Sequence, residues 1–367
     1  MGKSVQSDRL EKSNNLRDKM MYPKISVIIP SFNQGRFILR TIQSIQHQDY
    51  PGEIEIIVSD GGSTDETVDV LKSTSGIQWW SAKDNGFADA VNKGLAAATG
   101  KILAIQSSDD FYLQGALRKA ATALEANPEC VLVSGAGLRI DLADNIIDLQ
   151  EQEPRLIDTP KSMTTGLYLL QHSTFARVDA IRRLGGLRES VDWCADFDLF
   201  YRLLHLGHGI IISDHLGVYQ VHPLQRTQSH AERWVTNCIK TIEDAERDPL
   251  LNQRFCLTTE EKEAYRVGCT LFWNFNIGGV DGVKYCKGFA AQILSRPETP
   301  PEVRKVAQEW VAVQNRRERV NPIVGRLTSS LRHNGVLGTT KIGVKRLRRR
   351  LGLDSSAFDL NWWSRLV

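Results

Sequence analysis

Two adjacent carboxylates, Asp109 and Asp110, follow the apolar run Ile102-Leu103-Ala104-Ile105 after the polar step Gln106-Ser107-Ser108. Side by side they repel, so the pair is tolerable where water or a cation neutralises it, and hard divalent cations favour such oxygen ligands. An apolar run bounded by turn residues reads as a central strand. Carboxylates at the carboxyl end of such a strand stand where open α/β sheets bind ligands. For the pair alone, a solvated loop capping the helix that starts near Gln114 is the plainer alternative. Other acids with chemical potential are Asp60 in Ser59-Asp60-Gly61-Gly62, Asp84 before Asn85-Gly86, Asp89, and the pair Asp196 and Asp198 in Ala195-Asp196-Phe197-Asp198-Leu199. In the first turn of a helix, Asp196 or Asp198 can equally serve by complementing the helix dipole.

The elements that must position these residues follow from the hydrophobic pattern. Residues 24–30 form a β-branched strand stopped at Pro30. After Ser31-Phe32-Asn33-Gln34-Gly35, a helix carries Phe37, Ile38, Thr41, Ile42 and Ile45 on one side. A second strand over residues 54–58 ends at Ser59-Asp60. Ser63 and Glu66 then have the spacing of a capping box and predict a helix start. Residues 77–81 are a third strand, and residues 87–98 a helix closed by Gly100 before the central strand. A fifth strand is expected over residues 130–134, a hairpin over 138–149 and a loop over 154–166. A strand restarts at Gln171, helices follow over 178–184 and from about Asp196 to Gly207, and short strands are expected at 210–212 and 217–221. Strands alternating with helices imply a mostly parallel twisted sheet with helices on both faces, whose carboxyl-end loops share one edge. That edge collects Ser31 to Asn33, Asp60 to Thr64, the loop 83–86, and Asp109 with Asp110. Neither common nucleotide motif is present. Gly135-Ala136-Gly137 lacks the third glycine of a dinucleotide fingerprint, and Ile102 stands where a P-loop needs Ser or Thr.

The chain of 367 residues is long enough for about two domains. With 41% hydrophobic and 24% charged residues, it has an ordinary globular composition. Its six cysteines include no C-x-x-C pair, which suits a reducing compartment. The polar N-terminal segment lacks a signal-peptide core and no run of 18 apolar residues occurs, so neither secretion nor a membrane span is expected. The formal net charge of +3 is unevenly spread, with nine Lys or Arg and no acid between Arg319 and Leu351. There, Val344, Leu347 and Leu351 share one helical side against Lys345, Arg346, Arg348, Arg349 and Arg350, and Trp362-Trp363 follow. A basic amphipathic helix of this kind suits an anionic membrane surface, the alternative being a solvated face packed on its own domain. Nucleic acid is not expected as a partner, because no recognised binding module accompanies the charge.

Taken together, five ordered blocks resemble the inverting glycosyltransferases of sequence family 2. They are Val27-Ile28-Ile29-Pro30-Ser31-Phe32-Asn33; Ser59-Asp60-Gly61-Gly62-Ser63-Thr64-Asp65; Asp84-Asn85-Gly86 with Asp89-Ala90-Val91-Asn92-Lys93-Gly94; Ser107-Ser108-Asp109-Asp110; and Gly185-Gly186-Leu187 with Ala195-Asp196-Phe197-Asp198-Leu199. The resemblance spans roughly residues 24–222 and implies the GT-A fold, an α/β Rossmann-like sheet with flanking helices. It predicts a leader over 1–21, taken as mobile, and a GT-A domain over 22–229. A helical extension over 230–318 and a basic tail over 319–367 complete the expected organisation.

By that resemblance, Pro30 and Ser31 line the base and ribose pocket, with Asn33 and Gly62 in the same donor-binding loops. Asp60 accepts hydrogen bonds from the base, which favours uridine or thymidine donors because a carboxylate suits an imide N–H. Asp109 and Asp110 are the expected metal pair for Mn2+ or Mg2+, with Asp110 the more direct ligand and His222 a further candidate. A lone His before Pro223 is more often structural. Asp84, Asp89 and Asn92 either hold the donor sugar or tie their helix to the Asp60 loop; Asp89 and Asn92, three residues apart, share a helix face. Asp196 matches the family's catalytic base, although Ala195 stands where an acid is frequent. The processive motif Gln-x-x-Arg-Trp is absent, since Gln228 lies five residues before Arg233-Trp234. The expected function is single addition of a sugar from a UDP- or dTDP-linked donor to a hydroxyl of a glycan or lipid-linked acceptor in cell-surface polysaccharide synthesis. A catalytically inactive GT-A-fold nucleotide-binding or scaffold subunit is the alternative. The expected location is cytoplasmic, with peripheral attachment to the inner face of the plasma membrane through the basic tail.

Overall fold

A computed structural model describes residues 22–164, 169–223, 225, 231–251, 258–277, 279–312 and 314–315. The expected leader (1–21) and basic tail (319–367) lie outside the described residues. Strand β1 (Ile25–Ser31) is buried along its whole length, because a β-branched run without a polar face must be covered on both sides. Its side chains alternate between two cores. Ile28 packs with Ile57, Leu103 and Ile105 on one face, whereas Val27 and Ile29 pack with Ile56, Val58, Ile102 and Ala104 on the other.

Helix α1 (Gly35–Gln46) covers the second face through Ile38, Ile42 and Ile45. Strand β2 (Ile54–Asp60), helix α2 (Thr67–Ser73) and strand β3 (Gln78–Ser81) follow. Helix α3 (Phe87–Ala97) covers the first face through Ala88, Val91 and Leu95. A Cβ on Gly94 would lie 2.5 Å from Ile28, so glycine is what lets α3 lie so close to β1. Strand β4 (Ile102–Ile105) pairs parallel to β1 on the side opposite β2, and β3 extends the parallel set at the outer edge.

Beyond β4 lie β5 (Phe111–Tyr112), α4 (Ala116–Ala126), β6 (Cys130–Ile140), β7 (Ile146–Gln150), β8 (Arg155–Ile157) and the single turn α5 (Lys161–Thr164). They are followed by β9 (Thr174–Arg177), α6 (Val178–Arg183), α7 (Ala195–Leu206) and β10 (His208–Gln220). The sheet order is β3-β2-β1-β4-β9-β6-β10-β5, with β7 on β6 and β8 on β10.

The sheet is mixed rather than simply parallel. Strand β9 runs antiparallel to both neighbours, β4 and β6. The expected β6–β7 hairpin forms and reverses the chain, and β9 keeps the reversed direction. Because β6 and β10 are parallel to each other, the strands β1 to β4, β6 and β10 all point the same way. The short strands β5, β7, β8 and β9 run against them.

Three local expectations are corrected. The loop expected over 154–166 contains β8 and α5. The two strands expected at 210–212 and 217–221 are one strand, β10, with irregular register around His215. Residues 171–173 form a 3-10 turn ahead of β9.

The described C-terminal residues are helical: α8 (Ala231–Arg247), α9 (Thr259–Ile277), α10 (Gly279–Ser295) and residues 301–312. Leu271, Cys286, Ala290, Val303 and Val306 form a separate core there. Helix α8, by contrast, sends Cys238, Ile242 and Ala245 into the sheet's first core beside Cys194 and Leu199. Among the described residues, no helix is long and apolar enough to cross a membrane.

Candidate active site

The carboxyl ends of β1, β2 and β4, and of β10 beyond β9 and β6, open onto one edge of the sheet, where the unusual polar residues meet. Asp60 ends β2 fully buried. Its Oδ2 accepts the backbone N–H groups of Gly62 (3.1 Å) and Ser63 (2.9 Å) and the Ser81 hydroxyl (2.6 Å), while Oδ1 accepts the Ser63 hydroxyl. Asp60 therefore shapes the loop that follows it, and a base N–H would have to reach its remaining lone pairs. Ser63 is used up here and does not cap α2. That role falls to Asp65, whose Oδ1 accepts the Thr67 N–H at 3.0 Å while Oδ2 accepts the Gly35 N–H at 3.0 Å. One carboxylate thereby joins the starts of α1 and α2, and the capping-box reading is corrected.

Asn33 sits at φ 53, a left-handed conformation that Asn adopts more readily than most residues. Its N–H donates to Ser63 Oγ at 2.7 Å and its Oδ1 accepts the Thr64 N–H at 2.9 Å, which seals the β1 loop to the β2 loop. Next to Pro30, Ser31 Oγ is buried with no hydrogen-bond partner among the described residues. An orphan hydroxyl at this edge is a group a ligand can satisfy. Asp84 lies over Gly61, where a Cβ would approach its Oδ2 to 2.7 Å, and its Oδ1 accepts the Gly86 N–H at 2.9 Å.

Two expected donor-binding residues have structural partners. Asp89 Oδ2 accepts the Asn85 N–H and the Lys93 ammonium, both at 2.9 Å. The Asn85 N–H and then Lys93 hold its carboxyl below the usual range. Asn92 grips the peptide of Leu187 from both sides, accepting its N–H at 2.8 Å and donating to its carbonyl at 2.9 Å. Its partner is thus the Gly185-Gly186-Leu187 turn, and the expected contact with the Asp60 loop is corrected.

The acidic pair divides its labour. Thr41, a polar residue on the buried side of α1, donates its hydroxyl to the carbonyls of Ser108 (2.9 Å) and Asp110 (2.7 Å) and so latches the acidic loop to that helix. Gln171 links the same loop to the turn before β9 by accepting the Ser107 hydroxyl at 3.1 Å. Asp110 is turned inward, 1% exposed, and its Oδ1 accepts the Gln220 N–H at 2.9 Å. Burial, and then the neighbouring charge of Asp109, push the Asp110 carboxyl well above the usual range.

Asp109 instead faces His222, with 2.9 Å between Oδ2 and Nε2. The imidazole stacks on Phe37 of α1 at 4.6 Å between ring centroids. The expectation that Asp110 is the more direct metal ligand therefore does not match this placement, and Asp109 with His222 takes that position. Adjacent ligands of an octahedral ion with bonds of ~2.1 Å are about 3 Å apart, so this oxygen and nitrogen fit one edge of such a shell. Among the described residues no third His, Cys, Asp or Glu joins them, which leaves the other positions to oxygens of a ligand and to water.

Asp196 lies in the first turn of α7, partly exposed. The turn ahead of it abuts α3, since Asp192 Oδ1 accepts the Ala88 N–H at 2.7 Å and lies against Gly86. That contact places the start of α7 beside the Asp84 loop. Ala195 is 1% exposed and belongs to the core, so the acid frequent at that position would here have to be buried. Asp198 is fully buried. It accepts Arg188 Nε at 3.0 Å, Arg202 Nε at 2.8 Å and the Thr241 hydroxyl at 3.0 Å. With all of these partners it is a structural anchor, unavailable as a base. Asp65, Thr41, Asp192 and Arg188 were not singled out from sequence; of these only Thr41, a polar residue inside an apolar helical face, carried a visible signal.

Comparison with known proteins agrees with this architecture. Residues 26–180 match the family model described as Glycosyl transferase family 2. An uncharacterized glycosyltransferase of Mycobacterium tuberculosis is 29% identical over 184 residues, covering 49% of this chain and 68% of that protein. The GalNAc(5)-diNAcBac-PP-undecaprenol beta-1,3-glucosyltransferase of Campylobacter jejuni is 38% identical over 101 residues, 26% of this chain and 32% of that protein. Among solved structures, S. aureus TarS 1-349 in complex with UDP-GlcNAc superposes with a TM-score of 0.51 at 14% identity, over 78% of this chain and 89% of that one. A likeness at that identity speaks for the fold, which is GT-A.

Proposed function

We infer that this chain, whose residues 26–180 belong to glycosyl transferase family 2, is a metal-dependent inverting enzyme. On this reading it moves a sugar from a UDP- or dTDP-linked donor to a hydroxyl of a glycan or lipid-linked acceptor in cell-surface polysaccharide synthesis. The observation that carries the reading is the pairing of Asp109 with His222 at 2.9 Å, at the edge where the Ser31, Asp60 and Asp84 loops converge. A lipid-linked acceptor is supported by the Campylobacter relative, whose name specifies a diphospho-undecaprenol-linked substrate.

The chain's own residues account for the chemistry as follows. The sealed loops after β1 and β2 receive the nucleoside, with the orphan Ser31 hydroxyl and the remaining lone pairs of Asp60 offered to it. Asp109 and His222 would hold a Mn2+ or Mg2+ ion, which when bound neutralises charge on the departing nucleoside diphosphate. Asp196 takes the proton of the acceptor hydroxyl while that oxygen bonds to the anomeric carbon. The bond from that carbon to the diphosphate oxygen breaks on the opposite face, so configuration inverts in one displacement.

Calorimetric titration of UDP, dTDP and GDP with and without Mn2+ tests this directly. Mn2+ should tighten UDP or dTDP by at least about ten-fold, a difference of 1.4 kcal/mol. Asp109→Ala should abolish that increment while leaving the metal-free affinity near that of the parent. Affinity indifferent to Mn2+ in the parent chain, or an intact increment in the mutant, would remove the metal assignment.

A further inference from the structure

Helix α8 lies beyond the family segment, yet it is wired to the turn that carries Asp196. Thr241 donates its hydroxyl to Asp198 Oδ1 at 3.0 Å, and Asp244 Oδ2 accepts Arg188 NH1 at 3.3 Å. Arg188 also reaches Asp198 through Nε at 3.0 Å. From the other side, Arg202 holds Asp198 Oδ2 and donates to the carbonyls of Leu184 (3.2 Å) and Gly186 (2.9 Å). The Gly186 turn is the one whose Leu187 peptide Asn92 grips. Asp198 is thus the hub where α3, the 185–187 turn, α7 and α8 meet, two residues along the same helical turn from Asp196. Cys194, just ahead of that turn, packs with its Sγ 4.0 Å from the Thr241 hydroxyl.

We propose that α8 is a positioning arm for Asp196: Thr241 and Asp244 fix Asp198 and Arg188, and through them the angle at which the first turn of α7 presents its carboxylate to the acceptor. The proposal rests on the reading of Asp196 as the base. Thr241, Asp244 and Arg188 are positioning residues, since none has been placed against substrate. Two charges this deeply paired make Asp198 and Arg202 poor sites for a test, because removing either partner leaves a buried uncompensated charge. Thr241 and Asp244 are better ones. Thr241→Val keeps the shape and removes one donor, and Asp244, 22% exposed at its side chain, can be changed to Asn without burying a new charge.

The experiment uses the full chain and four variants: Thr241→Val, Thr241→Ser, Asp244→Asn and Asp196→Asn. Nucleoside diphosphate release is measured with the fastest member of a panel of UDP-, dTDP- and GDP-linked sugars. UDP affinity and amide hydrogen exchange are followed alongside. Thr241→Val and Asp244→Asn should lower kcat about 10- to 100-fold, the scale of a misplacement of ~1 Å, with UDP affinity unchanged and Thr241→Ser restoring most of the rate. Exchange should rise in residues 189–199 and stay level in β1 and β2. A general loss of folding would move all of these together, so the split is the signature of positioning. Level exchange in residues 189–199, or kcat kept in both variants while Asp196→Asn is inactive, would overturn the arm and leave the base intact. Full turnover by Asp196→Asn would overturn the base assignment and the proposal with it.

Discussion

Asp196 and Asp198 are one residue apart in chemistry and far apart in role. The first is partly exposed in the opening turn of α7, whereas the second is buried under Arg188, Arg202 and Thr241. Asp196→Asn preserves size and hydrogen bonding but cannot accept a proton, so turnover should fall by roughly two to four orders of magnitude with donor affinity near the parent value. Steady-state rates set beside calorimetric donor affinity check this, and a mutant that keeps its rate would send the search for the base to another residue. At this scale the sequence was informative about which residues matter and silent about which way they face. The Asp109-Asp110 pair stood out as two acids ending an apolar strand. Its ranking was not legible, because Asp110 is inward only through the Gln220 N–H and Asp109 outward only through His222, partners more than a hundred residues away. Asn92 misled for the same reason, since its partner Leu187 is 95 residues on.

Among elements, the parallel set β3-β2-β1-β4 was readable because each strand is a short apolar run between turn residues. What joins these strands laterally was not. Glu55 is an example, a charged residue in a strand that bolts three segments together. It accepts the Thr99 N–H at 2.8 Å and the Thr99 hydroxyl at 2.7 Å, bonds the Ser26 hydroxyl, and pairs with Lys24 at 3.2 Å. Burial pushes its carboxyl up, but the donors from Ser26, Thr99 and Lys24 outweigh it and hold the group at about 2 against an ordinary 4.5. A depressed acid contributes stability that is fully present above its unfolded pKa and is lost as pH falls through the folded one. Glu55→Gln should therefore be less stable than the parent at pH 7, and the gap should close between pH 4.5 and about 2. Urea midpoints across that range measure it, and a gap that does not change with pH would show that the charge is not what matters. The capping-box error has a similar origin. Ser63 and Glu66 have the right spacing, yet Asp60 claims the Ser63 hydroxyl first and α2 begins only at Thr67. Strand β10 read as two pieces because the polar stretch Ser213-Asp214-His215 interrupts its pattern where the register shifts.

For the whole molecule, the alternation of strands and helices was enough to reach the GT-A fold, but not the mixed sheet, because the antiparallel insertion of β9 depends on where the chain re-enters after the β6–β7 hairpin. The membrane reading of the basic tail belongs to this scale too. Each Lys or Arg near an anionic surface contributes about 1 kcal/mol at best, and the effect decays within a Debye length of ~8 Å. Truncation before Arg319 should leave UDP binding intact and abolish co-sedimentation with phosphatidylserine-containing vesicles at low salt. A full-length chain that ignores such vesicles would assign the basic residues to a protein partner or to intramolecular packing. One feature of the sheet reaches further than the enzyme itself. Residues 26–180 match the family, and Asp109 lies within them, but the imidazole it faces arrives on the far end of β10, a strand laid down after that segment closes. A genetic crossover at the segment's end would hand the recombinant one parent's carboxylate and the other's histidine. The sheet therefore offers evolution no seam at that point, and these two halves must be inherited together.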